Sequence, residues 1–186
     1  MSPSNEKFES VLEAAKAGAE WAWASLFTEL SGPVTGYLAS RGAAEPEDVS
    51  SEVFLNVARG IRSFSGDRTS FRSWVFVIAH RKLIDERRSR ARQPRLAEFP
   101  EDTSSVTEGG NVENEALTNL MTGELQAAFA PLTEAQRDVL ALRLIAGLTL
   151  AETAQVMGKR VGAIKALQRR ALATLHNTID FDSVTL

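Results

Sequence analysis

Apolar residues recur three and four positions apart along most of this chain, and long alternating β-branched runs are absent. That period belongs to helices, so the pattern predicts an all-α fold. A first helix is expected over residues 6–38, with a break near 31–33, where Gly and Pro interrupt it. "GAAEPEDVSSEVFLNVARGI" opens another helix. Pro46 suits its first turn, Glu47, Asp48 and Glu52 suit the positive end of its dipole, and Val49, Val53, Phe54, Val57 and Ile61 form its apolar stripe.

"RSFSGDRTS" reads as a loop turned by Gly66 and Asp67. Ser70 is the expected cap of a helix that carries Phe71, Trp74, Val75, Ile78 and Leu83 inward and that Pro94 should end. The segment at about 94–115 is rich in Ser, Thr, Gly and Pro, mostly negative, and poor in apolar residues. It reads as a flexible linker between two small helical domains. The expected layout is therefore a first domain at 1–95, a linker at 96–115 and a second domain at 116–186.

In the second domain a helix near 116–130 is stopped by Pro131. Thr133 and Gln136 then stand in capping-box register ahead of a helix that Gly147 ends. A short helix follows, capped by Thr149 and stopped at Gly158, and then a last helix. A short helix, a tight turn and a second helix make a helix-turn-helix. Leu150, Ala154 and Val156 are expected to pack on Val161, Ile164 and Leu167. Arg160, Lys165, Gln168 and Arg169 lie outside or at the edge of the stripe Ile164, Leu167, Ala171 and Leu175. Arg, Lys and Gln on a helix of groove size offer donors for base edges and phosphates. The plainer reading is a helical hairpin whose charges keep it in solution.

The chain is mildly acidic, with a net charge of -3 over 186 residues, yet residues 81–95 hold Arg81, Lys82, Arg87, Arg88, Arg90, Arg92 and Arg95 against only Asp85 and Glu86. Arg81–Asp85 or Lys82–Glu86 pairs are expected to neutralise part of this charge. The remainder suits phosphate binding, and of Phe64, Phe71, Trp74 and Phe76 just before it, most belong to the core while at most one or two suit stacking on unpaired bases. A solvated helix end is the plainer alternative.

There is no cysteine, which excludes disulfides and thiol chemistry, and His80 and His176 lack ligand spacing. No cofactor or metal is expected. The chain has no signal-peptide core and no apolar run of membrane-span length, so a cytoplasmic protein without membrane insertion is expected. No Ser-His-Asp set or phosphate loop suggests an enzyme.

"EPEDVSSEVFLNVARGIRSFSGDRTSFRSWVFVIAHRKLIDERR" resembles the second conserved region of bacterial sigma factors, and "LTEAQRDVLALRLIAGLTLAETAQVMGKRVGAIKALQRRALATL" resembles their fourth. A short linker with no third domain is similar to the extracytoplasmic-function group of the sigma-70 family. The likeness covers roughly residues 21–175.

It implies a factor without catalysis of its own. Such a factor binds RNA polymerase core through its β′ and β subunits, directs it to promoter DNA at −35 and −10 elements, and assists strand opening. Asp48, Ser51, Glu52 and Asn56 become candidates for core-polymerase binding, with Ser51 where the family has Gln. Phe64, Asp67, Arg81, Lys82, Arg87 and Arg88 become candidates for the −10 element, with Arg81 where the family has Asn. Arg160, Lys165, Gln168 and Arg169 become candidates for the −35 element, and Ala163 stands where the family has Thr. Many family members are held by an anti-sigma protein, a further partner that the resemblance allows. The rival reading is a helix-turn-helix regulator that works without polymerase core, which leaves the basic-aromatic helix of the first domain without a purpose.

Overall fold

The computed structural model describes residues 3–92 and 130–178. The first unit contains α1 (Pro3–Lys16), α2 (Glu20–Ser40), α3 (Pro46–Gly60), a 3-10 turn (Ile61–Ser63) and α4 (Arg68–Arg92). The second contains α5 (Glu134–Leu144), α6 (Leu150–Met157) and α7 (Val161–Thr178). No strand occurs among the described residues. The expected linker and the expected helix near 116–130 lie outside them.

The break expected at 31–33 does not occur. The chain instead turns at Gly18, whose φ of +89° favours glycine, and the Ala19 N–H closes the end of α1 on the Ala14 carbonyl at 2.9 Å. Helix α2 continues through Pro33. A proline ring there forgoes one donation to the preceding turn. Ala22, Leu26, Leu30, Val34, Tyr37 and Leu38, buried on both sides of it, anchor both halves of the helix in the core.

Helix α4 starts three residues earlier than expected. The Asp67 carboxylate accepts from the Ser70 N–H at 2.8 Å, so Asp67 is the cap and Ser70 lies inside the first turn. Phe71, Val75, Ala79 and Leu83 then repeat every fourth residue and are all buried. Burying each of the larger ones contributes about 1.5–3 kcal/mol before entropy is counted.

Capping boxes open α5 (Thr133 with Gln136) and α6 (Thr149 with Glu152). Gly158, at φ +61°, ends α6 in the left-handed region, and the Lys159 N–H returns to the Ala154 carbonyl at 2.9 Å. Val139, Ala154 and Ile164 bury together with Leu150, Met157 and Leu167 against them. Val156 does not join that cluster, and Val161 remains 39% exposed. Two residues apart on a helix are about 200° apart, so Ala154 and Val156 cannot serve one seam.

Val156 faces the other way, into a core shared by the two units. Ala141, Leu142, Ala146, Leu148 and Val156 cluster with the buried stripes of α2, α3 and α4. Helix α4 packs on α6, and α2 touches α5.

Candidate nucleic-acid and polymerase interfaces

Helix α7 separates its faces cleanly. Ile164 and Ala171 are buried, and Leu167 and Leu175 are half-buried against the rest of the second unit. Arg160, Lys165 and Arg169 are exposed and Gln168 is half-buried. Arg170 is exposed as well and extends the positive face beyond the expected set. The Arg160 carbonyl accepts from the N–H groups of Ala163 and Ile164 at 2.9 and 3.2 Å, which fixes that residue at the mouth of the helix.

On α3, Asp48, Ser51 and Glu52 are exposed and Asn56 is half-buried. The Ser51 hydroxyl donates to the Glu47 carbonyl at 2.9 Å, and Asn56 Nδ2 donates to the Glu52 carbonyl at 3.0 Å. Beside these polar groups, the rings of Phe27 and Phe54 lie 4.7 Å apart and Leu55 is 56% exposed.

The basic helix is wired differently from the expected local pairs. Lys82 Nζ donates to Glu52 Oε2 at 2.7 Å, across to α3, and this bond and charge hold the Glu52 carboxyl below its usual range. Glu86 meets Arg90 one turn on and accepts from the Ala44 N–H at 2.9 Å. No ion pair joins Arg81 to Asp85; Arg81 and Arg88 are exposed and make no ion pair among the described residues.

The loop before α4 is more occupied than its polar composition suggests. Phe64 is half-buried, its ring stacked 5.0 Å from Trp74 and edge-on to Phe71 at 5.3 Å. A Cβ at Gly66 would fall 2.9 Å from Ser70 Cβ and 3.2 Å from the Phe64 ring. The Asp67 carboxyl is held low by its hydrogen bonds at Ser70.

Arg87 departs furthest from the picture of a helix end in solvent. Its Nη2 donates to the Arg41 carbonyl at 2.6 Å, and its Nη1 lies 3.8 Å from Glu134 Oε1 and 4.0 Å from Asp138 Oδ1. It stands at the edge of a buried polar cluster. Arg41 Nε meets Asp138 Oδ1 at 2.6 Å, with side chains only 4% and 10% exposed. Nearby, the Tyr37 hydroxyl and His80 Nδ1 are 2.7 Å apart. Burial lowers the basicity of His80; Asp138 opposes that, while Arg87 and Arg41 add to it. Burial also raises the Tyr37 hydroxyl well above its usual range. None of Tyr37, Arg41, His80 and Asp138 carries a sequence signal, because Arg41 and Asp138 meet across 97 positions. Arg72 bridges the units too, donating to the Ala146 carbonyl, and a Cβ at Gly147 would fall 3.0 Å from Arg72 Nη2.

Among the described residues no three His, Asp or Glu side chains gather as metal ligands would, and no helix is long and apolar enough to cross a membrane.

The fold and these surfaces define an all-helical, two-unit protein ending in a helix-turn-helix with a basic outer face. Family models agree on both halves: residues 26–93 match sigma-70 region 2 and residues 128–177 match sigma-70 region 4. The chain is 35% identical over 176 residues to the ECF RNA polymerase sigma factor BldN of Streptomyces coelicolor, covering 93% of this chain and 66% of BldN. It is 32% identical to the ECF sigma factor ShbA of Streptomyces griseus over 131 residues, 69% of each chain. CnrH, solved in complex with the cytosolic domain of CnrY, shares the fold at a TM-score of 0.69 and 21% identity, over 94% of this chain and 97% of that one. This chain belongs to the extracytoplasmic-function group of the sigma-70 family, whose members are promoter-specific initiation factors of RNA polymerase rather than catalysts. The match of the first unit to region 2 does not favour the rival of a regulator that works without polymerase.

Proposed function

We propose that this factor divides promoter recognition between its two units. Helix α7 reads the −35 element in the major groove through Lys165, Gln168 and Arg169, while Arg160 holds the backbone. Helix α4 holds the phosphates of the −10 element through Arg81, Lys82, Arg87 and Arg88, and the loop with Phe64 and Asp67 receives a base turned out of the stack. The exposed start of α3, with Asp48, Ser51, Glu52 and Asn56, docks on the polymerase β′ subunit.

The observation that carries this reading is the exposure of Arg160, Lys165 and Arg169 on one helix whose opposite face is sealed by Ile164 and Ala171. A helix of this kind fills a major groove, and cationic side chains there supply both base-edge and phosphate contacts. The test is run-off transcription with purified core polymerase on a library of upstream fragments. Initiation at discrete start sites, lost on Lys165→Ala with Arg169→Ala, supports the reading. Initiation unaffected by that pair assigns promoter choice to another surface.

A further inference from the structure

We propose that a cavity between α1, α2 and the start of α4 receives a second unpaired nucleotide of the opened promoter strand, one whose base carries an exocyclic amine, beside the base taken by the Phe64 loop. The inference rests on the −10 reading proposed above.

The cavity holds about 300 Å³. Small-molecule sites run from about 300 to 1,000 Å³, so this one suits a single base better than a larger ligand. Its depth is apolar: Phe8 and Leu26 are buried and Val11 is half-buried. Its rim is polar, with Lys7, Ser25, Glu29 and Arg68 all exposed. A base has flat apolar faces and a polar edge, and a site built in these two layers matches it.

Its place in the fold ties it to the opening loop. Arg68, on the rim, is the first residue of α4 and follows the Asp67 cap. On the inner side the Phe8 ring lies 5.6 Å from Phe71, and Phe71 lies 5.3 Å from Phe64. One ring separates the cavity from the loop, so neighbouring nucleotides of a single strand can occupy both. The loop has no room for two bases, because Phe64 is stacked on Trp74 and even a Cβ at Gly66 would crowd Ser70 and Phe64. Lys7, Phe8 and Val11 belong to α1, ahead of the residues 26–93 that match sigma-70 region 2, so that match does not account for the cavity.

Glu29 gives the site its preference. Arg68 Nε and Nη2 both approach Glu29 Oε1, at 2.8 and 2.7 Å, so Oε2 keeps its lone pairs for a ligand. An ionised carboxylate only accepts, and it selects the exocyclic amine of cytosine, adenine or guanine on the Watson–Crick edge of a base out of the stack. Thymine presents oxygens on both sides of its one N–H and would set them against the carboxylate. Lys7 and Arg68 stand at the mouth for the flanking phosphates, a contribution that falls with salt.

At a start site mapped by the run-off library, binding of the polymerase holoenzyme is measured on templates mismatched across the −10 element and the start region, with one abasic site moved along the non-template strand. Two positions should each weaken binding roughly fivefold or more, as loss of a stacked base does. Phe64→Leu should erase the penalty at one of them. Ser25→Trp, which sets an indole over the cavity from an exposed position, should erase the penalty at the other. All four bases are then compared at that second position. Thymine should bind several-fold more weakly than the rest, and Glu29→Gln, whose amide also donates, should remove the difference. Helicity of the variants is checked by circular dichroism. A penalty and a base preference that survive both Ser25→Trp and Glu29→Gln, or a penalty that Ser25→Trp and Phe64→Leu erase at the same position, would overturn the second site. A parent penalty confined to the Phe64 position overturns the cavity alone, whereas a parent indifferent to every abasic site takes the −10 reading down with it.

Discussion

Lys82 and Glu52 share a hydrogen bond of 2.7 Å, which joins a residue of the proposed DNA face to one of the proposed polymerase face. The pair is exposed, so screening leaves it little weight in folding. Its consequence lies in binding. Lys82 holds the Glu52 carboxyl below its usual range and fixes its place on the same exposed face as Asp48. The double variant Asp48→Lys, Glu52→Lys is expected to leave helicity and the melting temperature nearly unchanged while weakening core-polymerase binding tenfold or more. Titration of core with labelled factor, alongside a thermal melt, checks both halves. A large drop in melting temperature would mean that these residues serve the fold instead.

Most of this fold is legible in the sequence because its signals are local. Thr133 with Gln136, Thr149 and Gly158 mark helix ends through contacts within a few residues, and the stripe from Phe71 to Leu83 repeats at helical spacing. The two misplaced boundaries share a physical cause. Pro33 and Ser70 are strong local cues, but buried neighbours overrode the first and Asp67 pre-empted the second. The exposed face of α7 is readable because its seam is apolar. The fate of Arg87 is not readable, since Asp138 and Glu134 reach it only after both units have folded and met.

Lys165 and Arg169 carry the prediction for the −35 element. A good base-edge contact contributes about 1–3 kcal/mol of discrimination, so Lys165→Ala should weaken binding to a cognate promoter roughly tenfold or more. Arg160→Ala should weaken binding to cognate and unrelated duplexes alike and flatten the salt dependence, as a phosphate contact does. Fluorescence anisotropy at several salt concentrations, with polymerase holoenzyme, separates the two. Equal sequence dependence for both variants would assign the base contact elsewhere on α7.

Asp67 and Phe64 must be tested with the fold held constant, because both have structural work. Asp67→Ala removes the cap of α4 and is expected to cost about 1 kcal/mol of stability, whereas Asp67→Asn keeps a capping oxygen. Phe64→Leu keeps apolar volume against Trp74 and Phe71 while removing the ring. If the loop receives an extruded base, Phe64→Leu slows initiation on duplex promoters and does so much less on templates already mismatched across the start region. Asp67→Asn, matched in stability to the parent chain, reports the carboxylate's own part. Equal slowing on both templates would confine the loop to supporting α4.

His80 gives the folded chain a predictable pH dependence. The groups that face it are Tyr37 on α2, Arg41 at the C-cap of α2, Arg87 on its own helix and Asp138 on α5, and burial with the two arginines outweighs the carboxylate. Its folded pKa therefore lies below the ordinary value of 6.5. Above that value both folded and unfolded chains carry a neutral imidazole, and this residue adds no pH dependence. As pH falls through 6.5 the unfolded chain takes up a proton that the folded chain resists, so stability falls until the folded pKa is reached and then levels off. Urea unfolding between about pH 8 and 5.5 should show that decline in a His176→Gln background, which removes the other histidine. His80→Gln in the same background should abolish the slope. Tyr37→Phe strips the imidazole of its partner at Nδ1 and should lower stability by about 1–3 kcal/mol at the upper end of the range. A slope that rises toward acid would mean that Asp138 governs the site and that His80 is charged in the folded chain.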